Sequence, residues 1–284
     1  MPNPRAADRT GIIRSVDLAL SACRAESTAH SSIEDVHIII KFPPRGKPGR
    51  IRYHAGMNAR PAEASSFPPV EMALTEPNGL LAHGGDLTVA RLLDAYRHGI
   101  FPWFNPGEPI LWWSPDPRMV LVPGEIRVTR SLAKRERNAG FELRVDAAFA
   151  EVMRACAAPR EGAGGTWISP EMIIAYTRLF EAGYAHSIES WRGGRLVGGL
   201  YGVAIGRMFY GESMFSREPD ASKVALVRLA RQLQAWDFGL IDCQMETAHL
   251  ASLGARTMPR AAFTAKVAEL VNLPHRPGPW MFDA

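Results

Sequence analysis

Hydrophobic and polar residues follow their clearest pattern between residues 196 and 244. Residues 196–211 (LVGGLYGVAIGRMFYG) combine apolar and small side chains around a Gly206-Arg207 pair, which predicts a β-hairpin. Residues 221–236 place apolar side chains at the helical interval, and residues 240–244 (LIDCQ) predict a further strand. This order of strand, strand, helix and strand predicts a mixed sheet with a helix packed on it.

Helical periodicity recurs in other parts of the chain. Asp220 immediately precedes the 221–236 segment, and we expect it to be the N-cap of that helix. Hydrophobic residues make up 46% of the 284 residues, which is enough for a core in each of two domains, and we place their boundary near residue 138. Four further segments carry apolar residues at helical spacing and predict helices: 88–97, 146–155, 170–182 and 259–271.

Two carboxylates follow the apolar strands and are the first candidates for function. Glu212 and Asp242 each lie where a strand should be buried, and a carboxylate there is costly unless it is hydrogen-bonded or faces a ligand. Gln244 is two residues beyond Asp242, so strand alternation predicts both side chains on one face. Cys243 should then point to the core, which favours a buried, inert thiol over a nucleophile.

A purely structural explanation fits the same carboxylates. Glu212 could pair with Arg207 or Arg217, and Asp242 could cap a neighbouring turn. Ion-pair networks also place carboxylates at strand ends, so spacing alone leaves both explanations open.

The net charge of +4 comes from the N-terminal segment. Residues 1–56 contain nine lysines and arginines against five acidic residues, and from Met57 onward the two signs balance. The pI of about 9.1 is therefore no indication of nucleic-acid binding. Because residues 1–56 are rich in Arg, Pro and Ser, we expect a disordered extension, and we expect translation to begin at Met57.

Short motifs extend over most of the remaining chain. In order they are EPNGLL (76–81), GGDL (84–87), GIFPWF (99–104), ILWWSPDPR (110–118), GTWI (165–168), GESMFSR (211–217), ASKVAL (221–226), LIDCQ (240–244) and HLASLGA (249–255). Together they resemble the bacterial leucyl/phenylalanyl-tRNA-protein transferases, and the similarity covers roughly residues 67–273. So many ordered motifs are hard to obtain by chance.

The resemblance implies an enzyme that works without the ribosome. Such a transferase passes leucine or phenylalanine from its tRNA to the α-amine of a protein that begins with Arg or Lys, and so marks that protein for N-degron degradation. The implied fold is α/β (α+β), with a smaller N-terminal α/β domain at residues 57–138 and a domain like the GNAT N-acetyltransferases, with a mixed sheet, at residues 139–284. The implied partners are Leu-tRNA, Phe-tRNA and proteins with N-terminal Arg or Lys.

The resemblance also assigns roles at the reaction centre. We expect Asp242 and Glu212 to attract the acceptor's amine and basic side chain, and Gln244 to position or accept from the amine. The donor amino acid requires an apolar pocket, for which the family's positions are Leu200, Phe209 and Met214. Leu200 replaces an expected methionine, which leaves the preference among Leu, Phe and Met open. Taken alone, these three side chains are more typical of an ordinary core than of a pocket.

Binding of tRNA requires aromatic and basic side chains. Trp103 and Trp167 lie in Pro- and Gly-bounded loops, and with Tyr96 they are expected to contact the 3′-terminal adenosine, although each tryptophan could equally fill a groove between domains. A second group is expected to contact tRNA phosphates, or else to form a solvated helix face: Arg130, Lys134, Arg135 and Arg137.

Two other functions are compatible with the same fold class. One is an N-acetyltransferase that uses coenzyme A, although residues 216–223 (SREPDASK) lack the glycines that usually bind pyrophosphate. The other is a non-catalytic module that binds tRNA or basic N-termini. We expect no cofactor, no metal and a cytoplasmic protein, because the three cysteines are widely spaced and no segment is typical of a signal peptide or a membrane span.

Overall fold

Two β-sheets organise the computed structural model, which describes residues 65–158 and 166–283. The expected disordered segment 1–56 and the expected start at Met57 lie outside these residues. A three-stranded sheet has the order β1-β3-β2 and contains β1 (Leu80–His83), β2 (Phe101–Pro102) and β3 (Leu111–Trp113). The larger sheet has the order β10-β4-β9-β8-β7-β6-β5 and contains β4 (Arg118–Leu121), β5 (Glu142–Val145), β6 (Ala185–Arg192), β7 (Arg195–Ile205), β8 (Met208–Ser216), β9 (Leu240–Gln244) and β10 (Arg256–Met258).

The large sheet is mixed, as predicted. β8 and β9 run parallel, whereas the other neighbouring strands pair antiparallel. β7 and β8 form the predicted hairpin, which turns at Gly206, where φ is +58° and glycine avoids the steric penalty of a side chain. The segment between the two parallel strands must cross over, and it does so through a helix.

The helices lie close to the predicted segments. Asp220 is the N-cap residue of the crossover helix, as predicted, but its side chain makes no capping hydrogen bond. Its φ is +65°, and its carboxylate instead accepts from Lys223 Nζ at 2.9 Å. Short 3₁₀ helices occur at Val70–Met72 and Pro123–Glu125. The α-helices are α1 (Val89–Arg97), α2 (Arg130–Asn138), α3 (Phe149–Ala157), α4 (Pro170–Glu181), α5 (Ala221–Ala235), α6 (Ala248–Ser252) and α7 (Arg260–Leu270).

Two hydrophobic cores cover the two faces of the large sheet. Strand alternation sends Tyr201 and Tyr210 into the first core, with buried residues of α1, α3, α4 and α7. Their neighbours Leu200 and Phe209 enter the second core, with buried residues of α2, α5 and α6. A mixed sheet between two layers of helices confirms the predicted α/β class.

Among the β-bulges of the large sheet, one lies in the middle of β8 and one near the end of β9. Tyr201 and Gly202 of β7 pair with Ser213 and Gly211, so Glu212 is an extra residue without a cross-strand partner. Cys243 is an extra residue in the same way, because Val120 and Met119 of β4 pair with Asp242 and Gln244. The ladder between β8 and β9 ends at Tyr210 and Asp242. Beyond that pair the described strands leave a gap, which begins next to Glu212 and Gln244.

The expected boundary near residue 138 follows α2 and remains a prediction. β4 precedes this position, yet it lies inside the large sheet between β10 and β9. Within the described residues, each helix is too short or too polar to cross a membrane.

Candidate active site

Glu212 is the centre of a polar cluster at the gap between β8 and β9. Its carboxylate accepts three hydrogen bonds: Tyr96 Oη donates to Oε1 at 2.8 Å, Tyr176 Oη to Oε2 at 3.1 Å, and Gln244 Nε2 to Oε1 at 3.0 Å. The two tyrosine hydroxyls also contact each other. The bulge explains this arrangement, because an extra residue turns its side chain out of the regular alternation.

Desolvation changes the acid–base properties of the cluster. The pKa of Glu212 is raised to about 7, chiefly by burial of the carboxylate and to a smaller extent by the charge of Asp242. Hydrogen bonds from Tyr96 and Tyr176 and the charge of Arg118 act in the opposite direction. Burial and the nearby Glu212 charge hold the pKa of each tyrosine well above its usual range, so both phenols remain donors. Glu212 can therefore exchange a proton near neutral pH, which suits acid–base chemistry.

Asp242 does not have the position expected of a substrate-binding carboxylate. It is fully buried, and Arg118 binds both of its oxygens, with Nε to Oδ1 at 2.8 Å and Nη2 to Oδ2 at 2.6 Å. In this structure Arg118 therefore occupies the oxygens with which Asp242 was expected to attract the acceptor's amine, and that role stays a prediction. The structural alternative was incomplete, because Asp242 forms an ion pair and Glu212 contacts neither Arg207 nor Arg217 through a described hydrogen bond or salt bridge.

Gln244 is held at both its backbone and its side chain. Its backbone N–H donates to Asp242 Oδ1 at 2.8 Å, and its φ is +61°, in the left-handed region. Only the NH₂ group of the amide can donate to Glu212, so the amide oxygen is left to accept a hydrogen bond from a ligand. Cys243 packs against the second core, and burial raises the pKa of its thiol far above the usual range, as expected for an inert thiol.

The predicted donor-pocket residues lie together, but in the second core. Leu200 and Met214 are cross-strand partners on β7 and β8, and Phe209 packs in the same core beneath α5. All three are buried, and they occupy the face of the sheet opposite Tyr96 and Tyr176.

The three predicted adenosine-binding aromatics differ in exposure. Trp103 and Trp167 are partly buried at the edge of the first core, and the Trp103 ring packs against Trp113 with centroids 5.5 Å apart. Tyr96 is completely buried, and its hydroxyl binds Glu212. Stacking of Tyr96 on a base is therefore excluded in this structure, because no face of the ring is accessible.

The predicted basic residues lie on α2, where they differ in availability. Arg130, Lys134 and Arg137 are exposed. Arg135 instead forms an ion pair with Asp220 at 3.6 Å. Three of the four side chains can therefore meet a polyanion without first breaking an ion pair with the described residues.

Two residues of the cluster were missed in the sequence. Tyr176 falls within a segment whose apolar spacing predicts only a helix, and nothing marks its hydroxyl as functional. Arg118 ends the ILWWSPDPR motif, where a cation after an apolar run indicates a buried counter-ion. Neither partner could be assigned, since Tyr176 and Glu212 are 36 residues apart and Arg118 and Asp242 are 124 apart.

Comparison with known families gives two adjoining matches. Residues 120–268 match the family model described as "Leucyl/phenylalanyl-tRNA protein transferase". Residues 85–116 match the model for the N-terminal domain of the same family. Glu212, Gln244 and Asp242 lie within the longer match, and Tyr96 lies within the shorter one.

Whole-chain relatives give the same result. A leucyl/phenylalanyl-tRNA--protein transferase of Thiobacillus denitrificans is 83% identical over 221 residues, which cover 78% of this chain and 97% of the relative. One from Nitrosomonas europaea is 64% identical and covers 76% and 92%. Among solved structures, a GCN5-related N-acetyltransferase from Kribbella flavida aligns over 59% of each chain with 14% identity and a TM-score of 0.30, an overlap from which we conclude nothing further.

Proposed function

The chain belongs to the leucyl/phenylalanyl-tRNA protein transferase family, and on this premise we propose that it transfers leucine or phenylalanine from tRNA to proteins with N-terminal Arg or Lys. The observation that carries this proposal is the contact between Glu212 and Gln244 across the gap of the sheet. This contact joins a carboxylate of raised pKa to an amide of fixed orientation.

The reaction requires positioning more than activation. The ester at the tRNA 3′ end is already reactive, and an α-amine with a pKa of about 7.7–8.0 is partly neutral at pH 7. The amine nitrogen forms a bond to the ester carbonyl carbon, the bond from that carbon to the ribose oxygen breaks, and the nitrogen loses a proton that the ribose oxygen gains. Holding the two substrates together supplies much of the rate enhancement.

Glu212 and Gln244 have the chemistry for the acceptor site. The free oxygen of the Gln244 amide accepts a hydrogen bond from the acceptor amine. This hydrogen bond orients the amine so that the lone pair on its nitrogen points to the ester carbonyl carbon. Glu212 attracts the cationic N-terminal residue when it is ionised, and with a pKa of about 7 it can take a proton and return it. Tyr96 and Tyr176 hold the carboxylate in place, because both of its oxygens accept from a phenol.

The proposed site for the donor amino acid lies in the second core. An apolar leucine or phenylalanine side chain suits a pocket lined by Leu200, Phe209 and Met214, entered through the gap between β8 and β9. Trp103 and Trp167 keep part of their surface exposed and suit stacking on the terminal adenosine. Arg130, Lys134 and Arg137 suit contact with phosphates of the tRNA body, which needs charge but no base recognition.

Transfer from charged tRNA to a peptide tests the proposal. Labelled phenylalanine on tRNA is supplied with a peptide that begins with Arg, and a peptide that begins with Ala is the control. We expect transfer to the Arg peptide only, and a loss of at least tenfold in Glu212→Ala. The matched control is Glu151→Gln, an exposed carboxylate on α3, which should transfer at the wild-type rate.

Two results would contradict the proposal. Equal transfer to both peptides would show that the acceptor need not begin with a basic residue. Full activity of Glu212→Ala would show that the reaction does not take place at the gap. Saturable peptide binding without consumption of charged tRNA would instead favour a non-catalytic module. Acetylation of the peptide from acetyl-coenzyme A would favour the acetyltransferase alternative.

A further inference from the structure

The buried ion pair of Arg118 and Asp242 takes no direct part in the proposed reaction. Both side chains have no exposed surface, so neither reaches a substrate in this structure. Burying two charges is expensive, and a hydrophobic pair of similar volume is often at least as stable. A buried pair next to the reaction centre therefore calls for an explanation other than stability.

Arg118 is fixed from several directions. In addition to the two hydrogen bonds to Asp242, its Nη1 donates to the Gly99 backbone oxygen at 3.1 Å. The rings of Phe101 and Phe263 lie 4.7 Å and 4.6 Å from its guanidinium carbon, so two aromatic faces contact it. β2, α7 and the turn after α1 thus hold one side chain, whose planar fork fits a carboxylate in a single orientation.

Asp242 connects Arg118 to Gln244 through hydrogen bonds. Oδ1 of Asp242 accepts both from Arg118 Nε and from the backbone N–H of Gln244. That N–H belongs to a residue with a φ of +61°, a conformation that is sterically unfavourable for a residue with a side chain. The hydrogen bond to Asp242 offsets this cost, and the left-handed turn directs the Gln244 amide to Glu212 at 3.0 Å.

We propose that Arg118 is a positioning residue for aminoacyl transfer: by fixing Asp242 it holds Gln244 in the left-handed conformation that aligns the Gln244 amide with Glu212. Asp242 then acts on the backbone of Gln244 and contacts neither tRNA nor the acceptor. This inference rests on the proposed function, in which Glu212 and Gln244 receive the acceptor amine. A positioning role and a substrate-binding role of Asp242 can be distinguished by kinetics. Loss of positioning lowers kcat, whereas loss of binding raises the KM of the acceptor peptide.

Steady-state kinetics with separate titration of charged tRNA and Arg peptide tests the inference. Arg118→Lys keeps the charge but loses the bidentate fork, and Asp242→Asn keeps the shape but loses the anion. We expect each to lower kcat at least tenfold while both KM values stay within about twofold of wild type. The matched control is Val271→Ala, a buried substitution next to the Gly206 turn of the hairpin, which should lower thermal stability but leave kcat unchanged.

Coupling to Gln244 separates positioning from a general loss of structure. We expect Gln244→Ala to lower kcat at least tenfold, and the double variant Arg118→Lys/Gln244→Ala to transfer no more slowly than Gln244→Ala alone, because both changes remove one function. If Arg118→Lys does not fold, Arg118→Gln/Asp242→Asn removes both charges and leaves neither unpaired. That variant should bind both substrates normally and show the same loss of kcat.

Several results would overturn the inference. A rise of tenfold or more in the KM of the Arg peptide, with kcat unchanged, would make Asp242 an acceptor-binding residue. Multiplicative losses in the double variant, or wild-type kcat in Arg118→Lys or in the uncharged pair, would show that Arg118 does not act through Gln244. Full activity of Gln244→Ala and Glu212→Ala would instead refute the proposed reaction centre, which is a distinguishable outcome.

Discussion

Replacement of Tyr176 by phenylalanine tests how the cluster tunes Glu212. The change removes one hydrogen bond to Oε2, at 3.1 Å, and leaves the ring in its buried place on α4. A hydrogen bond to a charged group contributes about 1.5–3 kcal/mol. Its loss disfavours the ionised carboxylate and should raise the pKa of Glu212 from about 7 to about 8–9, because about 1.4 kcal/mol corresponds to one pKa unit.

The effect on activity follows from the ionised fraction of Glu212. About half of the carboxylate is ionised at pH 7 in the wild type, and roughly a tenth to a hundredth should be ionised in Tyr176→Phe. The rate of transfer at pH 7 should therefore fall roughly 5- to 50-fold. Near pH 9 Glu212 ionises in both proteins, and the difference should shrink to about twofold or less.

The assay compares kcat/KM of Tyr176→Phe with that of the wild type from pH 6 to pH 9. Ionisation of the acceptor amine affects both proteins equally, so the ratio of the two values isolates Glu212. Tyr184→Phe is the matched control, because the Tyr184 ring stacks on His275 and its hydroxyl has no described hydrogen bond to the cluster. A ratio that does not change with pH would refute the assigned role of Tyr176 in holding the ionised form of Glu212.

Three further predictions follow from burial and charge. Because the pKa of Glu212 is raised in the folded protein, the group contributes stability below its unfolded pKa near 4.5, and this stability is lost as the pH rises through about 7. Glu212→Gln should therefore raise Tm at pH 8 relative to wild type, leave Tm nearly unchanged at pH 4, and abolish transfer. A lower Tm at pH 8 would contradict this. Replacing Arg130, Lys134 and Arg137 together by alanine should weaken tRNA binding and reduce the slope of log K against log salt by up to about 2–3, without changing the KM of the peptide; an unchanged salt slope would count against phosphate contacts. Cys243 should resist iodoacetamide at pH 8 because its thiol stays protonated, and Cys243→Ser should retain transfer; rapid labelling with loss of activity would contradict an inert thiol.

Local pattern determined much of the architecture. Apolar spacing located the helices at 170–182 and 221–236 to within a residue or two, and the Gly206-Arg207 pair located the hairpin. These features depend on neighbouring residues, so the sequence carries them directly. The side chain of Asp220 makes no capping hydrogen bond because Lys223 and Arg135 attract it away from the helix end.

Local pattern also selected the main residues of the candidate site, but not their contacts. Strand alternation and the cost of burying charge were sufficient to select Glu212, Asp242 and Gln244. Their roles depended on contacts over long sequence separations: Arg118 neutralises Asp242, and Tyr176 holds Glu212. A carboxylate at a strand end looks the same in a sequence whether a substrate or an arginine meets it.

The sequence by itself thus determined several of the helices, the β7–β8 hairpin and β9, the family of the chain, and which polar residues interrupt the apolar strands. The tertiary structure decided how those residues pair, with Arg118 on Asp242 and with Gln244 and two tyrosines on Glu212. Two bulges interrupt the strict period of the strands, one at Glu212 and one at Cys243, and no local pattern marks them. They depend on pairing with β7 and β4, because an extra residue is defined only against the strand beside it.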